Sequence, residues 1–85
     1  MNQAILFPDR ETWDEAHQCI CFPALVEGFQ VNCAISAKTL AHRFGGDAPA
    51  EWIESFRQNR WDLEEEAERS INEQQEDDQG WIWLS

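Results

Sequence analysis

His17, Cys19 and Cys21 are the residues whose types come closest to chemistry. They alternate in HQCIC, and on an extended strand alternate side chains share a face at intervals of about 6.5–7 Å. One imidazole and two thiolates suit Zn²⁺ or Cu⁺, which favour soft and borderline ligands. Two features count against a metal site. Structural zinc centres usually take four ligands, and these single-residue gaps differ from the two-residue gap of a zinc knuckle. Cys33, the remaining thiol, falls on the opposite face of the expected hairpin. The competing reading packs the thiols as small apolar groups under a second layer, with His17 at a strand end. A Cys–His nucleophile needs an orienting carboxylate and an oxyanion nest, and neither is evident in the sequence. No catalytic constellation is found, and no cofactor is expected.

The densest ionisable stretch is DLEEEAE at 62–68, with Trp61 before it and Arg69 after it. On a helical wheel Asp62, Glu65, Glu66 and Arg69 lie opposite the apolar stripe, and Glu64 and Glu68 lie on its flank. A Mg²⁺ or Ca²⁺ site needs carboxylates converging from several segments or a glycine-bearing loop, and one outward helical face supplies neither. Glycosidase-type chemistry needs a carboxyl kept neutral by burial, and these are expected to be solvated. Glu65 and Arg69 are spaced for an i,i+4 pair, whereas Glu64–Glu68 and Asp62–Glu66 are like-charge pairs. The stretch therefore reads as the wet side of a helix, with docking of a basic partner as the functional alternative.

Two arginines and three tryptophans complete the candidates. Arg60 falls on the apolar stripe between Phe56 and Ala67, where a charge either snorkels or pairs. Arg43 precedes a glycine turn, and with Arg60 it could form an anion site walled by Trp61. Pairing of Arg60 with one of the chain's seventeen acids is the simpler expectation. Trp61 projects away from the stripe, and Trp81 and Trp83 share one face of a terminal strand. Aromatics outside a core often mark partner surfaces, so Trp61, Glu65, Glu66, Trp81 and Trp83 are the expected partner-binding residues.

The elements that must position these groups follow from periodicity. Ala4 to Phe7 reads as a short strand stopped by Pro8, and residues 9–15 as a turn or one helical turn around Trp13. HQCICFPALV and FQVNCAI read as a hairpin across Glu27-Gly28, a weaker turn signal than Asn-Gly. That register pairs Val26 with Phe29, Ala24 with Val31, Phe22 with Cys33 and Ile20 with Ile35, giving one almost wholly apolar face. Pro23 lacks a donor and predicts an edge or bulge. Ser36 is suited to cap a helix over Ala37–Phe44, which Gly45 ends. A second helix starts near Pro49 and its stripe runs to about Asn72, roughly 36 Å, with room for a kink near Asn59. The run from Gln74 to Gly80 is a polar break, and Trp81–Leu84 is strand-like. A terminal strand apolar on both sides also offers an edge for β-augmentation, and the expected state is a monomer or a weak homodimer through that strand.

Composition bounds the function classes. Eighty-five residues with five Trp and five Phe make one small domain, 1–85, with a real core. Net charge is −11, of which residues 1–50 carry −3 and residues 51–85 carry −8. Such a field repels nucleic acid and anionic membranes, and it favours a basic protein surface as partner. The two helices could mimic a helix-turn-helix, but the would-be reading helix runs straight into DLEEEAE. No apolar stretch is long enough to span a membrane, the first residues lack a secretory pattern, and three cysteines do not make a disulfide framework. A cytoplasmic location is expected.

The hairpin, RFGGD at 43–47, FRQNRWDLEEEAE at 56–68 and the ending DDQGWIWL together resemble the YrdB-like family, bacterial proteins of domain of unknown function 1488. The resemblance spans essentially the whole chain. It implies a small bacterial α+β protein and carries no activity, catalytic residue or ligand with it. The reading is then an α+β fold: a small antiparallel sheet of three or four strands around a central hairpin. Two helices pack on one face, the second of them long. The expected function is a non-enzymatic protein-interaction or regulatory module. The alternative is a small-ligand or transition-metal binding protein.

Overall fold

The computed structural model describes residues 5–85. Ala4, the expected start of the first strand, lies outside them. The elements run β1 (Ile5–Leu6), β2 (Thr12–Asp14), β3 (Cys19–Val26), β4 (Phe29–Ser36), α1 (Ala37–Phe44), α2 (Pro49–Gln58), α3 (Arg60–Asn72) and β5 (Ile82–Leu84).

Alternation fixes the centre of the sheet. β3 and β4 pair antiparallel from Val26↔Phe29 through Phe22↔Cys33 to Cys19↔Ser36. Any one-residue slip would turn Ile20, Phe22 and Ile35 to the wrong face. Glu27 (φ 52°) and Gly28 (φ 86°) close the hairpin with both central residues at positive φ. That matches the right-handed twist of the strands. β1 and β2 share the other edge of β3 end to end, at Leu25–Val26 and at Cys19–Cys21. Pro23 falls in the gap between them, where its missing N–H leaves no ladder bond unmade.

Three details of the expected architecture are corrected. The sheet has five strands rather than three or four, because β1 and β2 are separate two- and three-residue pieces. It is mixed rather than antiparallel: β5 runs parallel to β4, with Cys33↔Ile82 and Ile35↔Leu84. The connection between β4 and β5 contains every helix, which makes it a crossover, and a crossover returns the chain in the same direction. There are three helices rather than two. The long helix breaks at Asn59 (φ −114°, ψ 18°), which ends α2 and starts α3. Asn59 Nδ2 donates to Ser55 O at 2.9 Å and holds the break.

One core lies between sheet and helices. Ile20, Phe22, Ala24, Cys33, Ile35, Ile82 and Leu84 meet Leu40 of α1, Phe56 of α2, and Leu63 and Ala67 of α3. At its centre the Phe22 and Phe56 rings lie 4.9 Å apart. Ser36 caps α1 by accepting from Thr39 N at 3.1 Å. Gly46 sits at φ 104°, and a Cβ there would come within 3.1 Å of the Trp52 indole, so the turn between α1 and α2 needs a residue without a side chain. No helix among the described residues is long and apolar enough to cross a membrane.

Candidate functional site

Two surfaces carry the candidate residues, and the sheet separates them. On the helical side, Trp61 lies in the first turn of α3 and is 82% exposed. An indole so open gains almost nothing from the core. It lines an open groove of about 200 Å³ with Phe7, Glu64, Glu65 and Glu68. A second groove of about 390 Å³, lined by Glu65, Glu68, Arg69, Asn72 and Glu73, shares two of those acids. The two grooves therefore run on along one face of α3. Glu65 and Arg69 make no ion pair among the described residues, so the expected i,i+4 pair does not neutralise Glu65.

Glu66 is placed differently. Arg43 Nη2 donates to its Oε2 at 2.7 Å and Nη1 to its Oε1 at 3.1 Å, a bidentate clasp between the end of α1 and α3. Arg43 also lines an open groove of about 580 Å³ with Lys38, Thr39, His42 and Ser85. Arg60 faces elsewhere. Its Nη2 donates to Glu11, and Nη1 stands 3.5 Å from both Asp9 and Glu64. Its guanidinium carbon lies 5.2 Å from the Phe56 ring centre. Arg43 and Arg60 thus share no partner, and each is held by carboxylates.

On the outer face of the sheet, Trp81 and Trp83 stack with ring centres 5.7 Å apart. Trp83 stands beside Ala34 in the register and gives its indole N–H to Asp77 at 3.0 Å. Asp77 organises the whole approach to β5, its Oδ1 accepting from the backbone of Gln79 (2.8 Å) and Trp81 (2.9 Å). These bonds lower its pKa, the Trp81 N–H foremost. Asp77 escaped the sequence reading, although Asp-x-x-Gly ahead of a strand is a turn signal.

The thiols lie on that same outer face. Strand alternation puts Cys19 and Cys21 on one face, and their Sγ atoms lean together to 3.6 Å. Asp14 is brought in by the Asp14↔Cys19 pairing of β2 with β3, and Cys21 Sγ reaches its Oδ2 at 3.8 Å. His17 lies outside β3, in the turn before it, where Gln18 at φ 51° interrupts the alternation. Its Nδ1 meets Asp14 Oδ2 at 2.8 Å, and its ring packs 5.1 Å from that of Trp81. The His17 hydrogen bond is the main cause that lowers the Asp14 pKa. Burial pushes the Cys19 thiol up to about 12 and raises that of Cys21. Both are neutral thiols at physiological pH, unlike the thiolate a nucleophile requires. Cys33 lies across the sheet in the core, its thiol also raised to about 12 by burial.

The chain is similar to known proteins along nearly its whole length. The model of a family described as "Protein of unknown function (DUF1488)" matches residues 5–84. The Escherichia coli (strain K12) protein named "Uncharacterized protein YrdB" is 69% identical over 84 residues, covering 99% of each chain. A Shigella flexneri protein of the same name is 68% identical over the same length. The crystal structure of a DUF1488-family protein of unknown function from Shewanella loihica superposes with a TM-score of 0.93 at 35% identity, over 99% of this chain and 94% of the other.

Proposed function

The chain belongs to the DUF1488 family, and from that premise we propose that it is a non-enzymatic docking module. It takes a basic segment of a protein partner along the outer face of α3. The observation that carries this reading is Trp61, 82% exposed and seated beside Glu65 and Glu68, with Glu64 of the same groove shared with Arg60. A lysine or arginine laid over the indole gains a cation–π contact of about 0.5–2 kcal/mol. The flanking carboxylates then hold its charge, and the shared wall of the two grooves gives an extended segment a second place for a cation. Glu66 does not take part, because Arg43 occupies it. Trp81 and Trp83, on the outer face of the sheet, belong to a different surface.

The test is a titration of Lys/Arg-containing peptides, with acidic and neutral peptides of equal length as controls, read by tryptophan fluorescence and by calorimetry. The expected result is selective binding of basic sequences. Trp61→Ala and the double substitution Glu65→Gln/Glu68→Gln each weaken it about tenfold or more, the scale of a binding hot spot. Trp61 contributes little to the core, so thermal stability should stay within about 0.5 kcal/mol. Equal affinity of the Trp61→Ala protein for the same peptides would overturn the reading.

A further inference from the structure

We propose that Asp14, Cys19 and Cys21 form a binding site for one thiophilic divalent cation of the zinc class, with His17 as the outer partner that orients Asp14.

The first argument is convergence. One donor atom from each of the three residues lies within 4.8 Å of the others. They come from two strands, so the site is a product of the fold and not of one local run. Distances are the second argument. A tetrahedral Zn²⁺ with Zn–S near 2.3 Å and Zn–O near 2.0–2.2 Å sets ligand atoms roughly 3.5–3.8 Å apart. The two sulfurs stand 3.6 Å apart, and Cys21 Sγ stands 3.8 Å from Asp14 Oδ2. Two of the three edges already have the length a metal would impose, and the third lies within 4.8 Å.

The donor set selects the ion. Two thiolates and a carboxylate suit Zn²⁺, whereas Mg²⁺ and Ca²⁺ want oxygen alone. A Cys19–Cys21 disulfide is the natural competitor. Alternate residues of a strand hold their Cα atoms about 6.5–7 Å apart, at or beyond the outer limit for that bond. The His17–Asp14 hydrogen bond of 2.8 Å reproduces the outer shell of metal sites, in which an imidazole–carboxylate pair fixes ligand orientation. The pair here is inverted, with the carboxylate as ligand. The Trp81 ring packs 5.1 Å from that of His17. Three protein ligands leave a fourth position for solvent, the pattern of an open site.

Binding has a fixed proton balance. Both thiols are neutral in the free protein, so each Zn²⁺ that forms two Zn–S bonds sends two protons to the buffer. The residues involved are not those of the α3 docking face, so either proposal can fail alone.

The experiment uses the reduced full chain, titrated with ZnCl₂ in buffers of differing ionisation enthalpy and with CoCl₂ in parallel. One zinc per chain in native mass spectrometry, about two protons released and a thiolate-to-cobalt charge-transfer band are expected. Cys21→Ser and Asp14→Asn should each lose at least about tenfold in affinity, and His17→Ala about 10–100-fold. Cys33→Ser should match the parent protein. Cys19 is fully buried, so its replacement is avoided; circular dichroism checks that each variant is folded. Absence of the cobalt band would overturn the proposal, and so would unchanged affinity in the folded Cys21→Ser and Asp14→Asn proteins.

Discussion

Glu11, in the loop between β1 and β2, is the carboxylate shared by Arg57 of α2 and Arg60 of α3. Arg60 and Arg57 both donate to it, and its side chain is only 8% exposed. Burial alone would raise its pKa; the hydrogen bonds from Arg60 and Arg57 outweigh that and hold it near 2, against an ordinary value of 4.5. The sign follows from linkage. The folded pKa is the lower one, so the stabilisation is complete above about pH 4.5 and drains away as pH falls from there toward 2. Glu11→Gln is expected to cost about 1.5–3 kcal/mol at pH 7, the scale of hydrogen bonds to a charged group, because Arg57 and Arg60 lose their shared carboxylate and Arg60 keeps only Asp9 and Glu64 at 3.5 Å. It should also flatten the loss of stability between pH 4.5 and pH 2. Urea unfolding at pH 7, 4 and 3 measures both; an unaltered midpoint at pH 7 would show that the pair is idle. The charge on Arg60 was legible as an anomaly on an apolar stripe. Its partner was not, since nothing in PDRETW marks Glu11 as more than a surface acid.

At the scale of elements, the readable parts were those whose pattern is local. Period-two alternation gave the β3–β4 register residue for residue, and Ser36 with Gly45 bounded α1 at both ends. The direction of β5 was not readable, because WIWL has the same pattern in either sense. The break falls at Asn59, where the sequence left room for a kink, but its depth was not readable because the apolar stripe runs through it from Phe56 to Leu63 with its spacing intact. β1 shows as an apolar run stopped by Pro8, whereas β2 is too short for its period to show, and residues 9–15 read as a turn or one helical turn where the structure has a strand. Legibility of the candidate sites divides the same way. Alternation put Cys19 and Cys21 on one face, and the helical wheel put Trp61 outside the stripe. Asp14 joins the thiols only through tertiary pairing, and Glu66 leaves the open acidic face only because Arg43 reaches it across from α1. The hairpin turn carries one local conflict. Glu27 sits at φ 52°, a region that costs a residue with an ordinary side chain and suits asparagine. Glu27→Asn is therefore expected to raise stability by about 0.5–1 kcal/mol without changing the fold. Thermal unfolding followed by circular dichroism decides it, and a lowered midpoint would count against the strain.

For the whole molecule the charge distribution matters more than any one pair. Of the net −11, −8 belongs to residues 51–85, which form α3, most of α2 and the approach to β5. The field is therefore steepest on the helical side, where the Trp61 groove opens. Association with a basic peptide should slow about tenfold or more between 0.05 and 0.5 M salt, as screening removes long-range steering. Trp61→Ala should act mainly on the dissociation rate, because an aromatic contact forms only after encounter. Stopped-flow fluorescence separates the two, and a salt-independent association rate would remove steering from the account. The parallel seat of β5 predicts an order in which this small fold assembles. The β3–β4 hairpin joins neighbours in the chain and can zip within microseconds, whereas Ile82 must find Cys33 about fifty positions upstream. Every helix lies inside the loop that this meeting closes. Weakening the hairpin should thus slow folding, while weakening β5 should leave the folding rate alone and hasten unfolding, a partition that chevron plots of Ile20→Val and Ile82→Val would reveal. On that expectation the last strand is a latch, set only after the rest of the mechanism is in place.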